Sequence, residues 1–182
     1  MTEISERYRD LATEFTRRLE AVPSDSWSSP SPCAGWTARD VVRHVIDTHG
    51  KMPGWAGLSL GLKESVDDDL LGAWAEVRDS MQALLDDPER AGVEYDGFFG
   101  RTTLEQTIDR FLCFDLLVHG WDVARSTGQD ETLPADEVHR VYEDALGFGE
   151  NLRLKGVCGP AVSVPDGASE QDRLLGLLGR TP

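Results

Sequence analysis

The chain is 182 residues long, a length that suits one domain, or one domain with a tail. Hydrophobic residues make up 40% and charged residues 28%, the balance of a soluble globular protein able to bury its own core. Against 18 Lys and Arg stand 33 Asp and Glu, a net charge of −15, which repels phosphate backbones and anionic membrane surfaces and removes nucleic acid from the expected partners.

Cys33, Cys113 and Cys158 lie far apart with no CxxC. An odd, scattered set argues against a disulfide framework and a cysteine-rich zinc site, and each reads as a small buried apolar residue. The charged N-terminus lacks the apolar stretch of a signal peptide. No apolar run approaches the ~20 residues of a membrane span. The expectation is a cytoplasmic protein with no membrane partner.

In chain order, Ile4, Tyr8, Leu11, Phe15 and Leu19 recur every three or four residues and predict an amphipathic helix over 3–21. Residues 23–32, rich in Ser and Pro, form a loop carrying Trp27. Thr37 to Asp40 reads as a capping box ahead of Val41, Val42, Val45 and Ile46, with the helix ending near His49-Gly50. A third helix is expected from Asp67 to Leu85, with acids at the end that the helix dipole favours. Asp67, Asp68 and Asp69 mark that start rather than a calcium loop, because no EF-hand spacing follows. Residues 92–100 are a connection that Val93, Tyr95, Phe98 and Phe99 can make extended.

Thr103 caps a long helix from Leu104 to about Thr127, which Gly128 terminates. Pro134 opens another over 135–151. A turn-like stretch, 159–167, precedes a short helix capped by Ser169, carrying Leu174, Leu175, Leu177 and Leu178 and stopped by Gly179. Repeats, heptads and βα alternation are absent from this pattern. The fold class expected is all-α: a helical bundle over 1–153, with four main helices, and a C-terminal extension over 154–182 packing on it.

The helix over 104–127 carries the chemistry. Asp115 and His119 are surrounded by apolar neighbours on every face, and a helix apolar all round is buried. An isolated carboxylate there costs many kcal/mol or takes up a proton, so something must compensate it. Asp115, His119 and Asp122, at i, i+4 and i+7, share one stripe. Two of them can converge on a cation, while Asp122 is placed to accept the second ring N–H of His119 or to touch a ligand. The competing reading is a buried Asp–His pair without metal, since a metal needs a third ligand from elsewhere. His44 and His49 are the open candidates. Periodicity favours His49, on the apolar arc, over His44 at its edge. His139 sits in a polar helix and reads as solvent-facing, and Arg125 and Arg180 read as solvated surface residues.

Pro32-Cys-Ala-Gly-Trp36-Thr-Ala-Arg-Asp40-Val-Val-Arg-His44 resembles the opening signature of the mycothiol-dependent maleylpyruvate isomerase group. That group is part of the DinB/YfiT-like superfamily of metal-binding four-helix bundles. Asp115-Leu-Leu-Val-His119-Gly-Trp-Asp122 resembles its second signature, and the stretches 159–165 and 174–182 are similar to a short actinobacterial subgroup. The resemblance implies that His44, Asp115 and His119 are the metal ligands, selecting His44 over His49. The isomerase has Glu at the Asp115 position, so a shorter Asp draws the metal nearer this helix or binds it through water. The isomerase also has a second, C-terminal domain, to which only 154–182 corresponds in position.

A two-histidine, one-carboxylate set leaves a coordination position open, the pattern of a catalytic zinc site. Its net charge of +1 favours an anion and ionises a coordinated thiol. The resemblance therefore implies a zinc (alternatively nickel) enzyme using mycothiol or a similar small thiol against a small electrophile, as a thiol transferase or thiol-assisted isomerase. Asp122 would orient His119 or bind the cofactor. Trp36 and Trp121 would line the pocket, though core packing is the commoner role for both. The alternative is a non-catalytic metal-binding module; iron oxygenase chemistry ranks below both. The chain is expected to be a monomer or homodimer.

Overall fold

Thr2 starts the first helix by accepting the Ser5 N–H at 3.2 Å, which satisfies one of the orphan donors of the first turn. In the computed structural model, which describes residues 2–154 and 156–182, helix α1 runs Glu3–Glu20. Met1 lies outside the described residues, as does Lys155 within the expected extension. Tyr8, Leu11, Ala12, Phe15 and Leu19 are buried on one face of α1. Arg18 on the same face is buried too. Its guanidinium reaches the carbonyls of Gly120, Asp130 and Thr132 at 3.0–3.3 Å, which clamps α1 to the segments across the core.

Helix α2, Ala38–Lys51, begins with the full capping box: Asp40 N–H donates to Thr37 Oγ1 and Thr37 N–H to Asp40 Oδ2. A 3-10 turn over Met52–Ala56 follows without a break. Helix α3, Leu70–Leu85, starts later than the acids suggest, because Asp69 is its N-cap and accepts from Gly72. Asp67 instead pairs with Arg43. A short α4, Pro88–Ala91, leads to β1, Glu94–Gly97, and β2, Gly100–Thr103. These two strands pair antiparallel with Glu94 opposite Thr103 and Gly97 opposite Gly100. The expectation of an all-α fold is thus corrected: the fold is mostly helical with one small hairpin, in which Tyr95 lies in β1 and Phe98 and Phe99, expected to be extended, form the turn.

The long helix over 104–127 forms but is not uniform. Thr103 caps α5, Leu104–Thr107; Ile108–Cys113 is π-helical; and α6 runs Phe114–Thr127. Gly128 closes it at φ +70°, a conformation glycine adopts without a Cβ penalty. Helix α1 packs on α3 and α6, and α2 packs on the same two. Nine consecutive residues of α6, Leu116–Ala124, are buried between them.

Helix α7, Ala135–Phe148, starts at Pro134 and gives way to a 3-10 turn over Gly149–Arg153. Helix α8, Glu170–Leu177, is capped by Ser169 and packs on α7 through Leu174, Leu175 and Leu178. The stretch before it crosses α8 closely, with Val162 N–H donating to the Gly176 carbonyl at 2.8 Å. Among the described residues no helix is long and apolar enough to cross a membrane.

Candidate metal centre

Packing of α2 on α6 turns His44, Asp115 and His119 toward one another. His44 Nε2 lies 3.9 Å from Asp115 Oδ2, and His119 Nε2 lies 3.9 Å from Asp115 Oδ1. One donor atom from each residue falls within 4.8 Å of the others, and the two imidazole centroids are 5.1 Å apart. Ligand bonds of about 2.1 Å put tetrahedral donors about 3.4 Å apart, so small side-chain rotations suffice to close the set on an ion. Two imidazoles and one carboxylate suit zinc, nickel or a related divalent ion.

Asp122 is fully buried one turn below. It accepts the Nδ1–H of His119 at 2.9 Å and the Arg180 guanidinium at 2.7 Å and 3.2 Å. That hydrogen bond holds the His119 ring with Nε2 turned to Asp115, which is what a histidine ligand needs from its outer partner. Cys33 Sγ adds a contact to Asp122 at 3.4 Å and lies 3.5 Å from Arg180. Cys33, His119 and Asp122 are also close enough to hold an ion. A guanidinium already neutralises Asp122 there, so the set with His44 and Asp115 is the better cation site.

The charges follow from this packing. Burial opposes charging of His119, but the Asp122 hydrogen bond, Cys33 and the Asp115 charge overcome it and raise its pKa to about 10. Burial also works against the Asp122 carboxylate, yet His119 and Arg180 hold it well below the usual range. Burial pushes Asp115 up, and burial with the nearby His119 charge lowers His44. Asp115 is not enclosed on every side, as its sequence neighbours led one to expect. Its side chain is 21% exposed and opens into a cavity.

That cavity, about 1040 Å³, is lined by His44, Asp115 and His119 and walled in part by aromatic residues. Trp55, Phe111, Phe114 and Phe148 come from the helical layers, and Phe98 and Phe99 from the tip of the hairpin. The cluster's fourth side therefore faces room for a ligand.

Of the other singled-out residues, His49 is buried against Tyr8 and Trp74, and its Nδ1–H donates to the Val45 carbonyl at 2.8 Å, away from the cluster. Trp36 sets its ring 5.0 Å from that of His44 but lies at the surface and is not among the residues that line the cavity. Trp121 is buried in the core beneath Arg125, 4.8 Å away, and does not line the cavity. His139 is exposed and pairs with Glu170 at 3.0 Å. Arg125 pairs with Glu131 near the surface. Arg180 corrects the surface reading: it is only 9% exposed. Nothing local in the sequence couples it to Asp122, because the contact crosses 58 positions. Cys33 is half-buried at the same point rather than an inert core residue.

The fold and this site define a mostly helical protein with two imidazoles and a carboxylate gathered at an aromatic cavity. Residues 8–57 match the family model of the mycothiol maleylpyruvate isomerase N-terminal domain, which bears out the resemblance read from residues 32–44. The matched segment holds most of α1, all of α2 and His44, whereas Asp115 and His119 lie beyond it. Over 169 residues the chain is 25% identical to uncharacterized proteins from two strains of Mycobacterium tuberculosis, covering 92% of this chain and 92% of each relative. No solved structure matches the chain significantly.

Proposed function

We propose that this chain binds one divalent transition metal through His44, Asp115 and His119, and that the adjoining cavity takes a low-molecular-weight thiol of the mycothiol type together with a small electrophile. The reading includes a four-helix bundle of α1, α2, α3 and α6 within 1–153, on which 154–182 packs, and a cytoplasmic protein. One observation carries it: three ligand-type side chains from two helices converge within 4.8 Å on a cavity that an organic molecule can enter. The match of residues 8–57 to a mycothiol-related family model supports the choice of thiol.

Held by His44, Asp115 and His119, a divalent ion would lower the pKa of a thiol at its open position toward neutrality and so would supply a thiolate nucleophile. The protein's own residues do the rest. Asp122 and Arg180 keep His119 oriented. His44 is held as the neutral imidazole by burial, the form that offers a lone pair. The aromatic walls limit water around the reacting pair and so strengthen electrostatic contacts inside. With this donor set the reaction is a thiol transfer or a thiol-assisted isomerisation.

Metal analysis of protein purified without an affinity tag tests the first half. About one equivalent is expected, with loss on His44→Ala or His119→Ala and retention on His49→Ala or His139→Ala. No metal in the parent protein, or loss only with His49→Ala, would sink the site. Turnover of electrophiles with and without small thiols tests the second half. Thiol-dependent turnover supports the transferase or isomerase, whereas bound metal without turnover leaves a non-catalytic module.

A further inference from the structure

Three arginines line the cavity: Arg101, Arg110 and Arg180. Arg101 is paired with Glu94 at 3.0 Å and Asp96 at 3.7 Å, and Arg180 with Asp122 at 2.7 Å. Arg110 has no ion pair among the described residues, and its buried Nε has no hydrogen-bond partner. Asp144, an acid of α7, is hydrogen-bonded by Arg140 at 3.2 Å and feels the Arg110 charge without bonding to it. A guanidinium that is both partly buried and without an acceptor is costly unless something else satisfies it.

Its surroundings state what would. The Arg110 guanidinium carbon lies 4.5 Å from the Phe99 ring centroid and 4.8 Å from that of Phe148. The two rings, 5.6 Å apart and tilted by 32°, lie side by side, and the guanidinium caps both from one side. Phe111 stacks on both rings. The π-helical stretch Ile108–Cys113 explains the placement. In a π-turn residues five apart take the place of residues four apart along the axis, which carries Arg110 round toward the side that Asp115 occupies. Both therefore line one cavity, five positions apart on one helix.

We propose that Arg110, held over the neighbouring rings of Phe99 and Phe148, is the anchor for a flat organic carboxylate, and that the molecule this cavity takes is an aryl carboxylate whose ring lies along the phenylalanine wall. A guanidinium fork matches one carboxylate with two parallel hydrogen bonds. One guanidinium fork with no ion pair among the described residues, set against apolar rings, suits that monoanion better than a phosphate dianion, which needs several donors. The carboxylate being that of the reacting electrophile rests on the metal chemistry proposed above; its binding at Arg110 does not.

Calorimetric titration with benzoate and its neutral isostere benzamide, on chelator-treated protein, tests the binding apart from the metal. Benzoate should bind at least tenfold more tightly than benzamide. Arg110→Gln should weaken benzoate at least tenfold and leave benzamide little changed, with Arg110→Lys in between because it keeps charge but loses the fork. Should Arg110→Gln fail to fold, Phe99→Ala, at the exposed hairpin tip, should weaken benzoate severalfold. His44→Ala should retain benzoate binding, whatever it does to metal content. Equal binding of benzoate and benzamide, no benzoate binding, displacement by equimolar inorganic phosphate, or loss with His44→Ala but not with Arg110→Gln would each overturn the assignment. In the last case the proposed metal centre survives while Arg110 is released from its role.

Discussion

His119 Nδ1 and Asp122 Oδ2 lie 2.9 Å apart inside the protein, and this contact sets which nitrogen of His119 is left for other work. A carboxylate accepts only, so Nδ1 carries the proton and Nε2 faces Asp115. The same carboxylate receives Arg180 from the far end of the chain. The tail thereby supports the candidate metal centre without touching it.

Asp122→Asn keeps the shape but removes the charge from this junction. Metal affinity should fall about 10- to 100-fold, as it does when an outer partner of a histidine ligand is lost. Arg180 would be left buried without its counter-charge, a change that costs about 3–5 kcal/mol. Competition with a chelator reads the first effect and thermal denaturation the second. An unchanged affinity together with an unchanged melting temperature would show that Asp122 supports neither.

Metal uptake should release a proton. With its pKa at about 10, His119 is an imidazolium at neutral pH when no ion is bound, and a ligand nitrogen must be deprotonated. Affinity should therefore rise about tenfold per pH unit from pH 6 to 9. Calorimetry in two buffers of different ionisation enthalpy counts the protons released, with about one expected. A count of zero would exclude His119 Nε2 as a ligand.

His49 predicts an acid weakness of the fold. Burial lowers its pKa to about 4, although its bond to the Val45 carbonyl pulls the other way. The unfolded chain takes up a proton near the ordinary value of about 6.5 and the folded one does not. Stability from this group is therefore complete above pH 6.5 and falls as pH drops toward 4, by on the order of 3 kcal/mol. Denaturant titrations at pH 7, 6 and 5 should show a slope that is reduced by about one proton in His49→Gln. Parallel slopes in the two proteins would remove His49 as the cause.

Gly176 allows the tail to cross α8. A Cβ built there would meet the Val162 carbonyl oxygen at 2.7 Å and Val164 Cγ1 at 2.8 Å. The backbone atom cannot retreat without breaking the Val162–Gly176 hydrogen bond. Gly176→Ala should cost about 1–3 kcal/mol and open residues 159–167 to limited proteolysis. A variant as stable and as resistant as the parent would mean that the tail repacks freely.

Much of the helical order was legible because caps and apolar spacing act over three or four residues. Thr37, Thr103, Ser169, Gly128 and Gly179 all sit at the helix ends where they were expected. The hairpin over 94–103 was only partly legible. Extended propensity showed at Tyr95, but Phe98 and Phe99 form the turn, and pairing depends on how two strands register. The π-helical stretch was not legible at all, since one extra residue in a turn leaves no mark on a short apolar pattern.

The primary structure by itself determined the helix-dominated fold class and the alignment of Asp115, His119 and Asp122, because i, i+4 and i+7 fall on one side of any α-helix. Residue spacing left His44 and His49 open and the resemblance chose His44; the tertiary structure brings His44, and not His49, beside Asp115 and His119. That placement depends on how α2 is rotated against α6: His44 at the edge of the apolar arc meets the neighbouring helix, while His49 goes into the core beside Tyr8 and Trp74. Arg180 beneath Asp122 and Arg110 over the rings of Phe99 and Phe148 were likewise decided by packing. Side-chain charges from distant segments meet only when the apolar faces that carry them have been buried together.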